Sequence, residues 1–174
     1  MKVLIIGLGS IASKHILAIQ EIDSSCELYA LRSTPKPPQH DGVKSIFHWE
    51  NIPTDLDFVI ISNPTHLHAQ TITKALELNK PLFIEKPPVA HLAEWIEIKN
   101  LLTNHRQLTY CGFLLRFHPV IEWLKENVNK KDVLEFHAYC GSYLPDWRTN
   151  GDYSQSYSAK KNQGGGVHLD LIHE

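Results

Sequence analysis

The chain has little of the charge or apolar sequence that would direct it to nucleic acid or a membrane. Its 17 lysines and arginines are scattered and nearly balanced by 19 acidic residues, for a net charge of −2. No basic tract is therefore available to attract nucleic acid or anionic lipid. No apolar run approaches the roughly twenty residues that span a bilayer, and the amino terminus lacks the pattern of a secretory signal. We expect a cytoplasmic protein with neither a nucleic-acid nor a membrane partner.

Cysteine is also scarce. Cys26, Cys111 and Cys140 are isolated from one another, odd in number and without a C-x-x-C pair. This pattern argues against a disulfide framework or a zinc site, so we expect buried, reduced thiols.

Short apolar runs alternate with helical patterns along most of the chain. A hydrophobic fraction of 43% over 174 residues suffices for one domain and an appended piece. The predicted strands cover residues 3–6, 26–31, 43–47, 58–62, 82–84 and 108–111. The predicted helices cover residues 13–22, 71–78, 92–104 and 119–127. This alternation predicts an α/β fold of the Rossmann type, with a doubly wound parallel sheet and helices on both faces.

The first predicted strand runs into a glycine-rich turn with the pattern G-x-G-x-x-A. In this pattern Gly7 permits a tight bend, Gly9 lets the backbone approach a pyrophosphate, and Ala12 replaces the third glycine where the helix packs on the strand. The amides that begin the helix then point at the phosphates. We predict that Gly7, Gly9, Ser10 and Ile11 hold a pyrophosphate, although an ordinary glycine turn has the same pattern.

The second predicted strand ends in Leu31-Arg32-Ser33, without an acid. In a dinucleotide fold an acid near this point holds the adenosine ribose hydroxyls, whereas an arginine accommodates a 2′-phosphate. A guanidinium and a hydroxyl suit a phosphate better than a bare ribose. We therefore favour NADP(H) over NAD(H). The alternative is that Arg32 is a solvated loop charge.

The fourth predicted strand leads into residues 63–68, which read NPTHLH. Ligands of such sheets bind beyond the carboxyl ends of the strands, so this loop should face the cofactor. His66 and His68 also raise the possibility of a metal site. No cysteine or carboxylate nearby completes a ligand set, so we predict no metal.

The fifth predicted strand delivers Glu85-Lys86-Pro87. A lysine at the carboxyl end of a central strand, beside a carboxylate, stands where an acid/base group would act next to a nicotinamide. Taken alone, Lys86 also fits a surface lysine before a proline-rich turn.

Together, the glycine turn, Asn63-Pro64-Thr65 with His68, and Glu85-Lys86-Pro87 resemble the glucose–fructose oxidoreductase, inositol dehydrogenase and rhizopine-catabolism (Gfo/Idh/MocA) family. The resemblance implies an NAD(P)-dependent oxidoreductase that acts on a sugar, nucleotide sugar or polyol. It places Lys86 at the nicotinamide and the substrate hydroxyl, and it makes Pro87 a candidate for a cis peptide. It also implies cofactor contacts for these residues: Asn63, Pro64, Thr65, His68, Glu85 and Lys86.

The resemblance continues beyond the sixth predicted strand. Residues 112–119, which read GFLLRFHP, resemble the family's G-[FY]-x-x-R-F-x-P segment, which implicates Arg116 in cofactor binding. Trp147 and Arg148 resemble a pair that covers the nicotinamide end of the cofactor. The alternation over residues 133–143 predicts a strand that begins the family's second domain.

Near the end of the chain, three glycines precede a predicted helix. Asp170 and His173 would share one face of this helix, and a carboxylate that orients an imidazole is a recurrent acid/base pair. The resemblance places the histidine near the substrate hydroxyl. The family commonly has these residues four apart rather than three, which affects the assignment of Asp170 more than that of His173. We expect His168 to begin a helix rather than complete a metal set.

The resemblance predicts an NAD(P)-binding Rossmann domain over residues 1–119. Residues 120–174 would be the incomplete start of an α+β substrate and oligomerisation domain, because family members continue for about another domain. We therefore expect a truncated chain: a fragment, a shortened product or half of a split enzyme. We also expect a homo-oligomer, or a partner that covers the unfinished sheet.

Two other functions remain open from the sequence. One is a catalytically silent nucleotide-binding fragment, sensor or regulatory subunit without a complete substrate domain. The other is a metal hydrolase built on four histidines: His66, His68, His168 and His173.

Overall fold

The computed structural model of the chain describes residues 1–35, 40–147, 152–163 and 165–171. The chain forms two compact units, Met1–Cys111 and Gly112–Glu174. The units divide after Cys111, whereas the sequence places the domain boundary after residue 119.

The first unit is built on a six-stranded sheet. The strands are β1 (Lys2–Ile6), β2 (Glu27–Leu31), β3 (Val43–Ile46), β4 (Phe58–Ile61), β5 (Leu82–Ile84) and β6 (Thr109–Cys111). All neighbouring pairs are parallel, in the order β3-β2-β1-β4-β5-β6. This is the doubly wound Rossmann order, with its reversal between β1 and β4, and it confirms the predicted fold class.

The central strands are apolar because both of their faces are covered. Val3, Leu4 and Ile5 of β1 are fully buried, and their side chains point alternately into two separate hydrophobic clusters. A strand buried on both faces reads as a continuous apolar run. The sheet centre is therefore where the sequence most directly predicts the structure.

Three helices pack on this sheet: α1 (Ser10–Ile22), α2 (His68–Leu76) and α3 (Leu92–Asn104). α1 buries Ala12, Ile16 and Ile19 at helical spacing. It begins at Ser10, earlier than the predicted start at residue 13, because Gly9 itself is the N-cap. At the start of α3, the Glu94 carboxylate accepts hydrogen bonds from the backbone N–H groups of Ala90 and His91 at 3.0 and 2.9 Å.

The second unit contains the helix α4 (Pro119–Asn127), the single turn α5 (Val167–Asp170) and several short 3₁₀ turns. The prediction of a strand over residues 133–143 is wrong. These residues are exposed, and no strand occurs in the part of the second unit that the structure describes. An alternating sequence becomes a strand only when a neighbour pairs its backbone groups, and the described residues supply none.

Within the described ranges, no helix is long and apolar enough to cross a membrane. The three cysteines are not bonded to one another, but none is fully buried: Cys26 and Cys111 are half-buried and Cys140 is exposed.

Candidate functional site

Four strands end in register at the carboxyl edge of the sheet. Ile6 pairs with both Leu31 and Ile61, and Ile61 pairs with Ile84. The next residues of β2, β1, β4 and β5 therefore lie along one line: Arg32, Gly7, Ser62 and Glu85. Three strand spacings separate the first from the last, about 14 Å.

Gly7 forms the bend after β1 with a φ angle of +91°. Its N–H donates to the carbonyl of Leu31 at 3.0 Å. A Cβ atom on Gly7 would lie 2.6 Å from the Cα of Asn63. The loops that follow β1 and β4 therefore meet backbone to backbone.

Gly9 is exposed and has an extended backbone, and apart from its chain neighbours no described residue has a heavy atom within 4 Å of where its Cβ would be. Among the described residues, no side chain caps the helix that follows, and the first turn of α1 carries no acidic residue. A helix start with free amides and no competing carboxylate favours an anion. The surroundings of Gly9 and Ser10 thus fit the pyrophosphate of a dinucleotide.

A cavity of about 410 Å³ lies against this edge of the sheet. Its wall includes the predicted residues Gly7, Arg32, Ser33, Asn63 and Pro64. The same wall includes residues that the sequence analysis missed: Phe47, Trp49, Leu67 and Thr71. The volume falls in the range of small-ligand pockets. The signal for Phe47, Trp49 and Leu67 was their position in the segments that follow β3 and β4, where ligands bind in such sheets, whereas Thr71 lies further on, in α2.

Arg32 is not a solvated loop charge, because only 8% of its surface is exposed. The side-chain Nη1 of Arg32 donates to the Ser45 hydroxyl at 3.3 Å, and the backbone N–H of Arg32 donates to the carbonyl of Ile46 at 2.9 Å. These contacts to β3 hold the guanidinium at the cavity wall, next to the exposed Ser33.

Asn63 leaves one polar atom unsatisfied. Its Nδ2 donates to the Thr71 hydroxyl at 2.7 Å, whereas its Oδ1 is buried without a hydrogen-bond partner among the described residues. Thr65 is buried in the short 3₁₀ turn that follows. An unpaired buried acceptor in a cavity wall fits a site that receives a donor from a ligand or water.

His68 is only 1% exposed and begins α2. Its Nε2 lies 2.8 Å from the carbonyl oxygen of Asn63, and its Nδ1 lies 2.9 Å from that of Pro87. Burial lowers the pKa of the imidazole, so the neutral ring donates from one nitrogen at a time. His68 therefore links the loops after β4 and β5 through their backbone carbonyls and does not line the cavity.

The segment after β5 contains the predicted acid/base lysine. The Lys86–Pro87 peptide bond is cis, and Lys86 is half-buried. Glu85 is only 7% exposed, and its carboxylate accepts from the N–H of Lys86 at 3.3 Å and from Nε2 of His15 at 2.6 Å. His15 was missed in the sequence analysis, although its place between the buried Ala12 and Ile16 of α1 pointed inward.

The remaining predicted site residues belong to the second unit. Arg116 is exposed in a 3₁₀ turn, with its guanidinium 5.8 Å from the centre of the Phe113 ring. Asp170 is buried in α5. Trp147 ends a short turn, Leu144–Trp147. Arg148 and His173 lie outside the described residues.

Across the described residues, no group of three or more histidine, cysteine, aspartate or glutamate side chains is arranged to hold a metal ion. Two histidines of the metal alternative are exposed, His66 and His168. A third, His68, directs its nitrogens at backbone carbonyls.

Comparison with known proteins adds a family to this geometry. The family described as "Oxidoreductase family, NAD-binding Rossmann fold" (Gfo/Idh/MocA) matches residues 1–113. This range contains the whole sheet and the loops at its carboxyl edge.

Two similar proteins are matched over only part of their own length. The uncharacterized oxidoreductase YrbE of Bacillus subtilis (strain 168) is 29% identical over 178 residues, which is 98% of this chain and 50% of the relative. Inositol 2-dehydrogenase 1 of Saccharopolyspora erythraea is 26% identical over 118 residues, which is 64% of this chain and 32% of the relative. The chain thus spans half or less of the length of these relatives.

A solved structure is similar over nearly the whole chain. It is the WlbA (WbpB) dehydrogenase from Thermus thermophilus in complex with NAD and UDP-GlcNAcA. The TM-score is 0.71 at 23% identity, over 98% of this chain and 59% of that one. At this identity the likeness establishes the fold.

Proposed function

Because the chain belongs to the Gfo/Idh/MocA family of oxidoreductases with an NAD-binding Rossmann fold, we propose that it binds a nicotinamide dinucleotide along the carboxyl edge of its sheet. The reaction is hydride transfer between this cofactor and a hydroxyl-bearing or carbonyl carbon of a sugar, nucleotide sugar or polyol. One relative is named an inositol dehydrogenase, which supports a polyol as the substrate. The structure with UDP-GlcNAcA supports a nucleotide sugar in the same fold.

The observation that carries this proposal is the in-register edge of four strands. Along this edge, over about 14 Å, lie the cationic side chain of Arg32, the glycine turn at the start of α1 and the segment that contains Lys86, in that order. An extended ligand with an anionic middle matches this order. Arg32 and Ser33 would hold the adenosine end, Gly7, Gly9, Ser10 and Ile11 the pyrophosphate, and Asn63, Pro64 and Thr65 the flank beside it.

We also propose that the cofactor is NADP(H) in preference to NAD(H). Leu31 is followed by Arg32 and Ser33 at the cavity wall, and the described residues of that wall include no carboxylate to accept hydrogen bonds from ribose hydroxyls. A buried guanidinium held by Ser45 is already ordered, so it loses little freedom when it pairs with a 2′-phosphate.

When bound, the dinucleotide supplies a hydride acceptor or donor at C4 of its nicotinamide. Lys86 would take the proton from the substrate hydroxyl as the hydride leaves, or return it in the reverse direction. The Glu85 carboxylate fixes the backbone of Lys86. The resemblance to the family also assigns His173 and Asp170 to the substrate hydroxyl, and Arg116, Trp147 and Arg148 to the nicotinamide end of the cofactor.

Self-association is part of the proposal. Apolar side chains of residues 133–143 are strongly exposed, with Leu134, Phe136 and Tyr139 at 100, 77 and 95%. Exposed apolar surface of this kind favours coverage by another protein surface, either a second copy or a partner chain.

The test begins with titration of the chain with NADPH and with NADH, and the fluorescence of the nicotinamide reports binding. Micromolar binding of NADPH, weaker binding of NADH and turnover of a polyol that is lost in Lys86→Met support the proposal. Absence of binding by both dinucleotides overturns it. Unchanged turnover in Lys86→Met overturns the role of the lysine alone.

A second candidate is a nucleotide-binding protein without catalysis, acting as a sensor or regulatory subunit. The observation in its favour is that the described residues lining the cavity include Gly7, Arg32 and Asn63 but not Lys86. Tight NADPH binding without turnover of any polyol, also after addition of cell extract, favours this candidate.

A further inference from the structure

His15 of α1 contacts the buried carboxylate of Glu85, seventy residues further along the chain, at 2.6 Å. The imidazole also packs edge-on against Phe83 of β5, with ring centres 5.3 Å apart. Phe83 also stacks on Tyr110, with 6.2 Å between ring centres. The ring of His15 is therefore held in place by a hydrogen bond and by an aromatic wall.

Glu85 distributes its hydrogen bonds between two elements. Its Oε1 accepts from Nε2 of His15, and its Oε2 accepts from the N–H of Lys86 at 3.3 Å. Its own N–H donates to the carbonyl of Ile61 at 2.9 Å, which fixes the start of the segment on the sheet. A carboxylate this deeply buried requires its donors, so loss of the imidazole would free the carboxylate to turn away from Lys86.

The segment is held from its other side by His68. The carbonyl of Pro87 lies 2.9 Å from Nδ1 of His68, and Nε2 of the same ring lies 2.8 Å from the carbonyl of Asn63. The two imidazoles thus hold residues 85–87 between them. His15 is the one that belongs to α1, the helix that begins at Gly9 and Ser10.

We propose that His15 is a positioning residue: through Glu85 it fixes the backbone of Lys86 and couples the dinucleotide-binding start of α1 to the presentation of the lysine amine. The inference rests on the proposed function for the role of Lys86. It concerns a contact within Met1–Cys111, and its test does not depend on turnover.

The test measures how fast each lysine of the full chain is dimethylated by formaldehyde and cyanoborohydride, with peptide mass spectrometry as the readout. His15→Phe keeps the aromatic contact and removes the donor, whereas His15→Gln keeps a donor of similar reach. We expect the rate at Lys86 to change by about fivefold or more in His15→Phe and to stay within about twofold in His15→Gln. Lys80 and Lys99 serve as internal references, and Lys14→Gln on the exposed face of α1 is the matched control.

A double-mutant cycle separates positioning from a general loss of structure. In a Glu85→Leu background, His15→Phe should have no further effect on the rate at Lys86, because the link is already broken. An additive effect, or an unchanged rate at Lys86 in a folded His15→Phe chain, overturns the proposal. Should His15→Phe fail to fold, His15→Asn, whose amide is too short to reach Glu85, replaces it under the same criteria.

The outcome is independent of the fate of the proposed function. If the unmodified chain binds neither NADPH nor NADH, the proposed function fails while the labelling result still decides the role of His15. If NADPH does bind, it should slow the labelling of Lys86 in the chain without substitutions and in His15→Gln. In His15→Phe, NADPH should protect Lys86 less. Equal protection in all three overturns the coupling to the start of α1.

Discussion

Gly7 and Asn63 approach so closely that a Cβ atom on Gly7 would lie 2.6 Å from the Cα and 2.7 Å from the backbone nitrogen of Asn63. The contact joins the loops after β1 and β4, at the point where the strand order of the sheet reverses. It brings the glycine turn next to the cavity wall and next to His68, which holds the carbonyl of Asn63. Backbone contact without side chains is what lets both loops reach one ligand.

Gly7→Ala should destabilise the protein. The residue has a φ angle of +91°, and the nearest atoms are the Cα, backbone nitrogen and Cβ of Asn63, so neither strain nor overlap can be relieved by rotation of a side chain. We expect a loss of about 2 kcal/mol or more in the free energy of unfolding. Urea denaturation followed by circular dichroism measures it, and a stability equal to that of the unmodified chain would contradict the contact.

Gly9→Ala should leave folding almost intact and weaken dinucleotide binding. The backbone at Gly9 is extended, and its Cβ would enter open space, so we expect a stability change within about 0.5 kcal/mol. A methyl group at the proposed pyrophosphate site should raise the Kd for NADPH about tenfold. Together with Gly7→Ala, this variant separates a glycine needed for the fold from one needed for the ligand. Undiminished affinity in Gly9→Ala would move the pyrophosphate away from the turn.

Arg32→Asp should reverse the cofactor preference. The substitution removes the proposed partner of the 2′-phosphate and introduces a carboxylate, which accepts hydrogen bonds from ribose hydroxyls. We expect the Kd for NADPH to rise by about tenfold or more, while that for NADH falls or stays constant. Arg106→Asp makes the same change in charge on an exposed arginine of the same unit and should change neither Kd. Parallel loss of both dinucleotides in Arg32→Asp would assign Arg32 to the fold alone.

His68 should make the stability of the protein depend on pH. Burial holds the pKa of its imidazole below the ordinary value of 6.5. Above that pH the ring is neutral in both the folded and the unfolded chain. As the pH falls below it, the unfolded chain binds the proton first, so the free energy of unfolding decreases until the folded pKa is passed.

The measurement compares urea denaturation of the unmodified chain and His68→Gln between pH 7.5 and about pH 5, which brackets the ordinary histidine pKa. The variant should show a smaller decrease than the unmodified chain, because a glutamine side chain does not titrate. His48→Gln, at an exposed histidine, should keep the decrease of the unmodified chain. Identical pH profiles for His68→Gln and the unmodified chain would contradict the assignment.

The conformation and burial of single segments were predictable from local sequence. Glycines in the spacing of Gly7 and Gly9 need only a preceding apolar strand to indicate a phosphate-binding turn. The continuous apolar runs of β1 and β4 report burial on both faces. Each of these signals is complete within a few residues, because backbone conformation and burial act on the same short segment.

The contacts between distant segments were decided by the tertiary structure. Nothing near His15 in the sequence names Glu85 as its partner, and Phe47 and Trp49 reach the cavity wall only because β3 is aligned with β2. Residues 133–143 show the same limit in reverse. Their alternation is that of a strand, but a strand exists only when a second segment accepts its hydrogen bonds, and the described residues contain no such segment.

The sequence by itself therefore determined the parallel α/β sheet, the family and the four loops, after β1, β2, β4 and β5, that bear the proposed site. The tertiary structure alone decided which side chains support those loops. His68 is buried and contacts the carbonyl of Pro87, and Arg32 lies in the cavity wall and donates to Ser45 of β3. His15 contacts the carboxylate of Glu85. The physical reason is that local pattern specifies conformation and burial, whereas hydrogen-bond partners across the fold depend on strand order and register.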